Sequence, residues 1–83
     1  MHYTAVLTPE PDGSAVNVRV PAMPGVLTWG RTAADALASA QEAIVLHLKG
    51  YAERGLPPPE DRPSRVRGRS TITTVEIRQL VST

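Results

Sequence analysis

One stretch of this chain, from Thr32 to about Arg54, repeats its apolar residues at helical spacing, and it is the single stretch that does so. Placing residues at about 100° intervals puts Ala33, Leu37, Ala40, Ile44, Leu48 and Tyr51 on one stripe that is apolar throughout. The interior is rich in Ala, Leu, Gln and Glu, all strong helix formers. Thr32 followed by Asp35 resembles a capping box, with Asp shorter than the preferred Glu or Gln. Gly50 sits inside the last turns and costs about 1 kcal/mol relative to Ala. Gly55, backed by Pro57, Pro58 and Pro59, marks the stop. A lone helix with one apolar stripe has no helical partner, so a sheet built from the rest of the chain must bury it.

The flanking segments have the required period of two. Tyr3, Ala5 and Leu7 alternate with His2, Thr4, Val6 and Thr8, a strand pattern. Pro9 and Pro11 end ladder pairing, and Asp12-Gly13 is a strong turn signal. Val16, Val18 and Val20 then alternate with Asn17 and Arg19, so the two segments read as a hairpin. Pro21, Pro24 and Gly25 make a tight loop, Val26 to Trp29 is a short third strand, and Gly30 ends it. Thr71 to Ile77 is a β-branched run and a fourth strand, with Thr73, Val75 and Ile77 on one face. From Pro57 to Ser70 the chain is rich in proline and charge and reads as a loop. The expected fold class is α+β, in the order β-β-β-α-β: a four-stranded antiparallel sheet with one helix on one face. The other face should stay open and carry Val6 and Ile72, or their opposites if the register slips by one.

At 83 residues the chain is expected to be one domain, 1–83. A domain this size buries only about 60% of its unfolded surface, so association with itself or a partner is a natural supplement. Phenylalanine is absent, so the core is expected to use Val, Leu, Ile and Ala with Trp29, Tyr3 and Tyr51. A net charge of +1, from 9 basic and 8 acidic residues, is too balanced to indicate nucleic acid by itself. Without cysteine there is no disulfide, thiolate nucleophile or thiolate metal site. The start of the chain lacks the basic and apolar runs of a signal peptide. No stretch approaches the roughly 18–20 apolar residues of a membrane helix. A soluble, cytoplasmic protein with no membrane contact is expected.

The order of signals resembles a known family. A Tyr-initiated strand leads to the Asp12-Gly13 turn and a Val-rich strand. Pro21-Ala22-Met23-Pro24-Gly25-Val26 and Thr28-Trp29-Gly30 follow, then Thr32 and an Ala-rich helix. Gly55-Leu56-Pro57-Pro58-Pro59 and a β-branched strand complete the pattern. Across almost the whole chain this is similar to the HicB-like antitoxin domain, with Val26 where a Cys is usual. The resemblance implies a partial RNase-H-like fold without catalytic function. It implies a module that binds HicA, a small toxin that cleaves messenger RNA, and masks its active site, commonly as a homodimer or higher homo-oligomer. Many members carry a further C-terminal DNA-binding segment. Here the sequence ends at Thr83, straight after the fourth strand, so no such domain and no operator DNA are expected. A solitary protein- or RNA-binding module is the alternative.

The residues themselves offer little chemistry. An RNase-H-like nuclease needs several carboxylates converging on divalent ions. Glu10, Asp12, Asp35, Glu42, Glu53, Glu60 and Asp61 read as turn, cap or solvated residues, and Glu76 stands alone in mid-strand. His47 lies at the edge of the helix stripe with no second His near it in sequence. No serine has a nucleophile-elbow context, and no Gly-rich run with a Lys enters the helix. No catalytic, cofactor or metal residues are assigned, and no cofactor is expected. Arg62, Arg65, Arg67 and Arg69 form the most functional-looking charge group, interleaved with Pro, Ser and Gly and not with stacking aromatics. The alternative RNA- or protein-binding role rests on this loop, 62–69. Trp29 suits either a core or an interface hot spot. Leu46 falls opposite the stripe and should be exposed. The residues expected to touch a partner are Met23, Pro24, Trp29, Arg65, Arg67 and Arg69. An apolar sheet face left bare invites pairing, which motivates the expected homodimer.

Overall fold

In the computed structural model, which describes residues 1–66 and 68–78, four strands and one helix follow in the expected order. They are β1 (His2–Pro9), β2 (Val16–Arg19), β3 (Leu27–Gly30), α1 (Ala33–Glu53) and β4 (Thr71–Glu76). All pairings are antiparallel, and the sheet order is β3-β2-β1-β4. The β1–β2 connection is the turn at Asp12-Gly13, where Gly13 has φ of 76° and the Asp12 carboxylate accepts from the Ser14 amide at 2.9 Å. The Ser14 hydroxyl first, and this amide second, hold the Asp12 carboxyl below its usual range. At the helix start Thr32 Oγ1 accepts from the Asp35 amide at 3.1 Å, the N-cap half of the capping box.

The alternation of β1 sets the layers. Tyr3, Ala5 and Leu7 face α1 and join Val18, Val20, Ala36, Ala40, Ile44, Leu48, Val75 and Ile77 in one core. Leu46 is exposed, as its place opposite the stripe requires. Three expectations need correction. The buried stripe of α1 starts at Ala36, with Ala33 exposed at the first helical position, and Tyr51 is only half-buried. The third strand starts at Leu27. Val26 belongs to a turn in which its amide donates to the Met23 carbonyl at 2.8 Å, and its side chain drops into the core. The fourth strand ends at Glu76, so this residue terminates its strand. Its carboxylate lies 3.4 Å from the N-terminal ammonium, an exposed pair of little stabilising value.

The helix approaches β3 very closely. A Cβ built on Gly30 would lie 2.3 Å from the Ala36 amide nitrogen and 2.7 Å from the Asp35 carbonyl carbon. The register Val18↔Thr28 and Val16↔Gly30 gives this side of β3 to Thr28 and Gly30, the smaller residues of the strand. The bulky pair Leu27 and Trp29 therefore turns away from α1. Trp29 is 61% exposed and is not a core residue, which corrects the expected core.

Candidate binding face

The sheet face opposite α1 is built from rows fixed by register. One row reads Leu27, Arg19, Val6, Ile72 across the four strands. The next reads Trp29, Asn17, Thr8, and continues to Ser70, whose hydroxyl lies 2.7 Å from that of Thr8. Leu27 is 73% exposed and Ile72 45%, so three large apolar side chains stand in water on this face. Val6 sits between Arg19 and Ile72 and is 2% exposed although no helix covers it.

The connector between α1 and β4 is fastened to β1 on both sides of the sheet, to Tyr3 on the helix side and to Thr4 on the open side. Tyr3 Oη donates to the Pro59 carbonyl at 2.8 Å. Burial raises the Tyr3 hydroxyl pKa, and the negative charges of Asp61 and Tyr51 raise it further. The central fastening is Asp61. Strand β2 pairs with β1 only from Val6 onward, which leaves the Thr4 amide facing an empty ladder position. The Asp61 carboxylate fills it, accepting from Thr4 N at 2.7 Å and from Thr4 Oγ1 at 2.8 Å. A carboxylate thus substitutes for a missing strand, because a buried amide without an acceptor is costly. Desolvation pushes the Asp61 carboxyl upward, but the Thr4 amide and hydroxyl, the Arg62 amide and the charge of His2 outweigh it and hold the group below its ordinary value.

Asp61→Asn should therefore cost about 1–2 kcal/mol at neutral pH, the range for a lost charge-assisted bond at an exposed acceptor. The sign with pH follows from the lowered folded value. The contribution is complete above the unfolded carboxyl value of about 3.9 and is lost as pH falls through the folded one. Urea unfolding of both proteins should show a gap at neutral pH that closes as pH falls below the unfolded carboxyl value; a gap independent of pH would remove Asp61 as the fastening.

Of the residues expected to touch a partner, Pro24, Trp29, Arg65 and Arg69 are exposed. Arg69 adjoins Ser70 at the end of the Trp29 row. Met23 is 1% exposed and packs in the core, because the turn closed by its carbonyl folds its side chain inward; its expected place on the surface is corrected. Arg67 lies outside the described residues. Three residues of this side escaped the sequence reading as site residues: Leu27, Arg19 and Asp61. Leu27 was within reach, since it shares the alternation of Trp29; nothing local marks Asp61, whose partner is 57 residues away. Among the described residues no group of three His, Asp or Glu side chains is arranged to hold a metal ion, and no helix is long and apolar enough to cross a membrane.

Comparison with known proteins agrees with this architecture. The UPF0150 protein Ta0767 of Thermoplasma acidophilum is 35% identical over 66 residues, covering 80% of this chain and 94% of the relative. The crystal structure of the N-terminal domain of the Burkholderia pseudomallei antitoxin HicB superposes with a TM-score of 0.71 at 28% identity, covering 95% of this chain and all of that one. The fold also matches a chain of the HicA3 and HicB3 toxin-antitoxin complex, with a TM-score of 0.68 at 22% identity, covering 95% of this chain and all of that chain. Residues 3–76, nearly the whole sheet and helix, match the family described as HicB_like antitoxin of bacterial toxin-antitoxin system, and the chain belongs to that family.

Proposed function

We propose that this chain, as one module over 1–83, is a non-catalytic antitoxin that binds a HicA-type messenger-RNA-cleaving toxin in the cytoplasm and masks its active site. The observation that carries this reading is the open face: Leu27, Trp29 and Ile72 stand exposed on a sheet side that no helix covers. Exposed apolar groups beside strand edges mark interaction surfaces, and tryptophan is over-represented at hot spots. Family membership, and a structural neighbour from a complex of HicA3 with HicB3, support a toxin as the occupant. Pro24, Arg65, Arg67 and Arg69 are assigned to the rim of the contact, with protein and not DNA as their target. A homodimer paired through a strand edge is the state of the free chain in this reading, since an unpaired edge invites a second copy and this pairing leaves the open face free for the toxin.

Co-expression with a tagged HicA-type toxin tests it. The chain should co-purify, suppress cleavage of a reporter messenger RNA in proportion to its concentration, and run as a dimer by light scattering when alone. Full cleavage with the chain in excess, or RNA retained by the chain alone through the 62–69 loop, would replace the antitoxin reading with the RNA-binding one. A clean monomer mass at micromolar concentration would remove the dimer.

A further inference from the structure

Two hollows lie side by side on the open face, and Arg19 and Leu27 line both. The first, of about 400 Å³, lies between β2, the Pro21–Pro24 turn and the connector, with Arg19 and Arg62 as its charged lining and Ser64 beside them. The second, of about 250 Å³, lies over Val6, Thr8 and Asn17 and is mostly apolar. The two arginines of the first hollow have little to do. Arg19 Nη2 stands 3.5 Å from Ser64 Oγ, a long bond, and the Arg62 side chain makes none among the described residues. Neither is in salt-bridge distance of a carboxylate there. The nearest acid in sequence, Asp61, is committed to Thr4.

A guanidinium carries five donors in a planar fork that fits a carboxylate or phosphate. Two of them lining one hollow without an internal acid leave their donors open to an anion from outside. The neighbouring apolar hollow then restricts the anion's carrier. No aromatic ring lines either hollow, and the single ring nearby, Trp29, stands outside them in the row paired with Asn17, so a base seated in the hollows has no ring within them to stack on. An apolar side chain, in contrast, fits the space over Val6 while an adjacent acidic side chain reaches the arginines.

We infer that the paired hollows around Arg19 form a docking groove for an acidic-apolar segment of a partner protein, with the partner's carboxylate between Arg19 and Arg62 and its apolar side chain over Val6. The inference rests on the open face being the partner-binding side and specifies what part of a partner that side selects. It also assigns Arg19 and Arg62, which are not among the rim residues above, as the groups that set specificity.

The test is an NMR titration of the ¹⁵N-labelled full chain with acetyl-Ala-Leu-Glu-Ala-amide, its Leu-Gln counterpart, inorganic phosphate and an oligouridylate. The Leu-Glu peptide should shift the amides of Arg19, Leu27 and Ser64 saturably, and the Leu-Gln peptide should bind about tenfold more weakly, the scale of one charge-assisted bond. Arg62→Gln, at an exposed position, should leave the rest of the spectrum unchanged and weaken the Leu-Glu peptide by a similar factor. Equal binding of the two peptides, or an unaffected Arg62→Gln variant, overturns the groove. Phosphate or oligouridylate binding at the same amides as tightly as the Leu-Glu peptide replaces it with a general oxyanion or RNA site. Toxin capture that survives Arg62→Gln sinks this inference and leaves the antitoxin reading standing. Peptide binding without any toxin capture does the reverse.

Discussion

Gly30→Ala is expected to unfold most of the chain at ambient temperature. The added methyl would run into the backbone of the first helical turn, at 2.3 Å from Ala36 N, 2.7 Å from Asp35 C and 2.8 Å from Ala36 Cα. No rotamer change relieves a clash with backbone, so α1 must lift from β3. That opens the core at Ala36 and Ala40, which are fully buried. Overpacking of this kind costs about 3 kcal/mol or more, a large share of the few kcal/mol that a domain of this size has. With about 4–8 °C of melting temperature per kcal/mol, the midpoint should fall by roughly 12 °C or more in circular-dichroism melts. Gly50→Ala is the internal control. A Cβ there meets nothing within 4 Å, and the site is helical, so this change should stabilise by about 0.5–1 kcal/mol. Equal melts for both variants would mean that α1 does not rest on β3 as described.

Trp29→Ala should have the second-largest effect, and on binding instead of folding. The side chain leaves water only when a partner arrives, so its removal should change the stability of the free chain by no more than about 0.5 kcal/mol. Truncating a hot-spot tryptophan costs about 2–4 kcal/mol of affinity, roughly 30-fold to 1,000-fold in dissociation constant. Isothermal titration of a HicA-type toxin into the wild-type and variant chains reads this directly. Leu27→Ser, on the neighbouring row of the same face, should weaken the toxin in the same direction, whereas Leu46→Ser on the far side of α1 should not. An unchanged titration for Trp29→Ala, or a strong loss for Leu46→Ser, would place the toxin on the helix side.

Much of the fold was legible because its signals are local. Two periods, 3.6 and 2, separate helix from strand, and Asp12-Gly13, Pro24-Gly25 and Gly55 mark the breaks. Alternation gave the open face either Val6 and Ile72 or, with a slip of one residue, their opposites; register pairs Val6 with Ile72 directly. Trp29 was less legible. Alternation says that it opposes Thr28 but not which of the two faces the helix. That choice is made by the close approach of α1 at Gly30, a contact between elements. Met23 was misplaced for a related reason. A turn residue normally points outward, yet here the turn closes the end of the core and Met23 fills it. Asp61 was read as a solvated charge because its role depends on β2 ending short of Thr4, a pairing detail that no local pattern carries. The candidate face was therefore legible at Val6 and Ile72, less so at Leu27 and Trp29 on β3, and illegible in the connector that borders it.

Trp29 is the sole tryptophan of the chain, so its fluorescence reports on the open face alone. The decisive measurement is its emission and acrylamide quenching during titration with a catalytically inactive, tryptophan-free HicA-type toxin. Emission should shift to the blue and quenching should fall, both saturating at the stoichiometry that suppresses RNA cleavage. A toxin that binds and is silenced while Trp29 stays as accessible as in the free chain would show that this face is not where the protein acts.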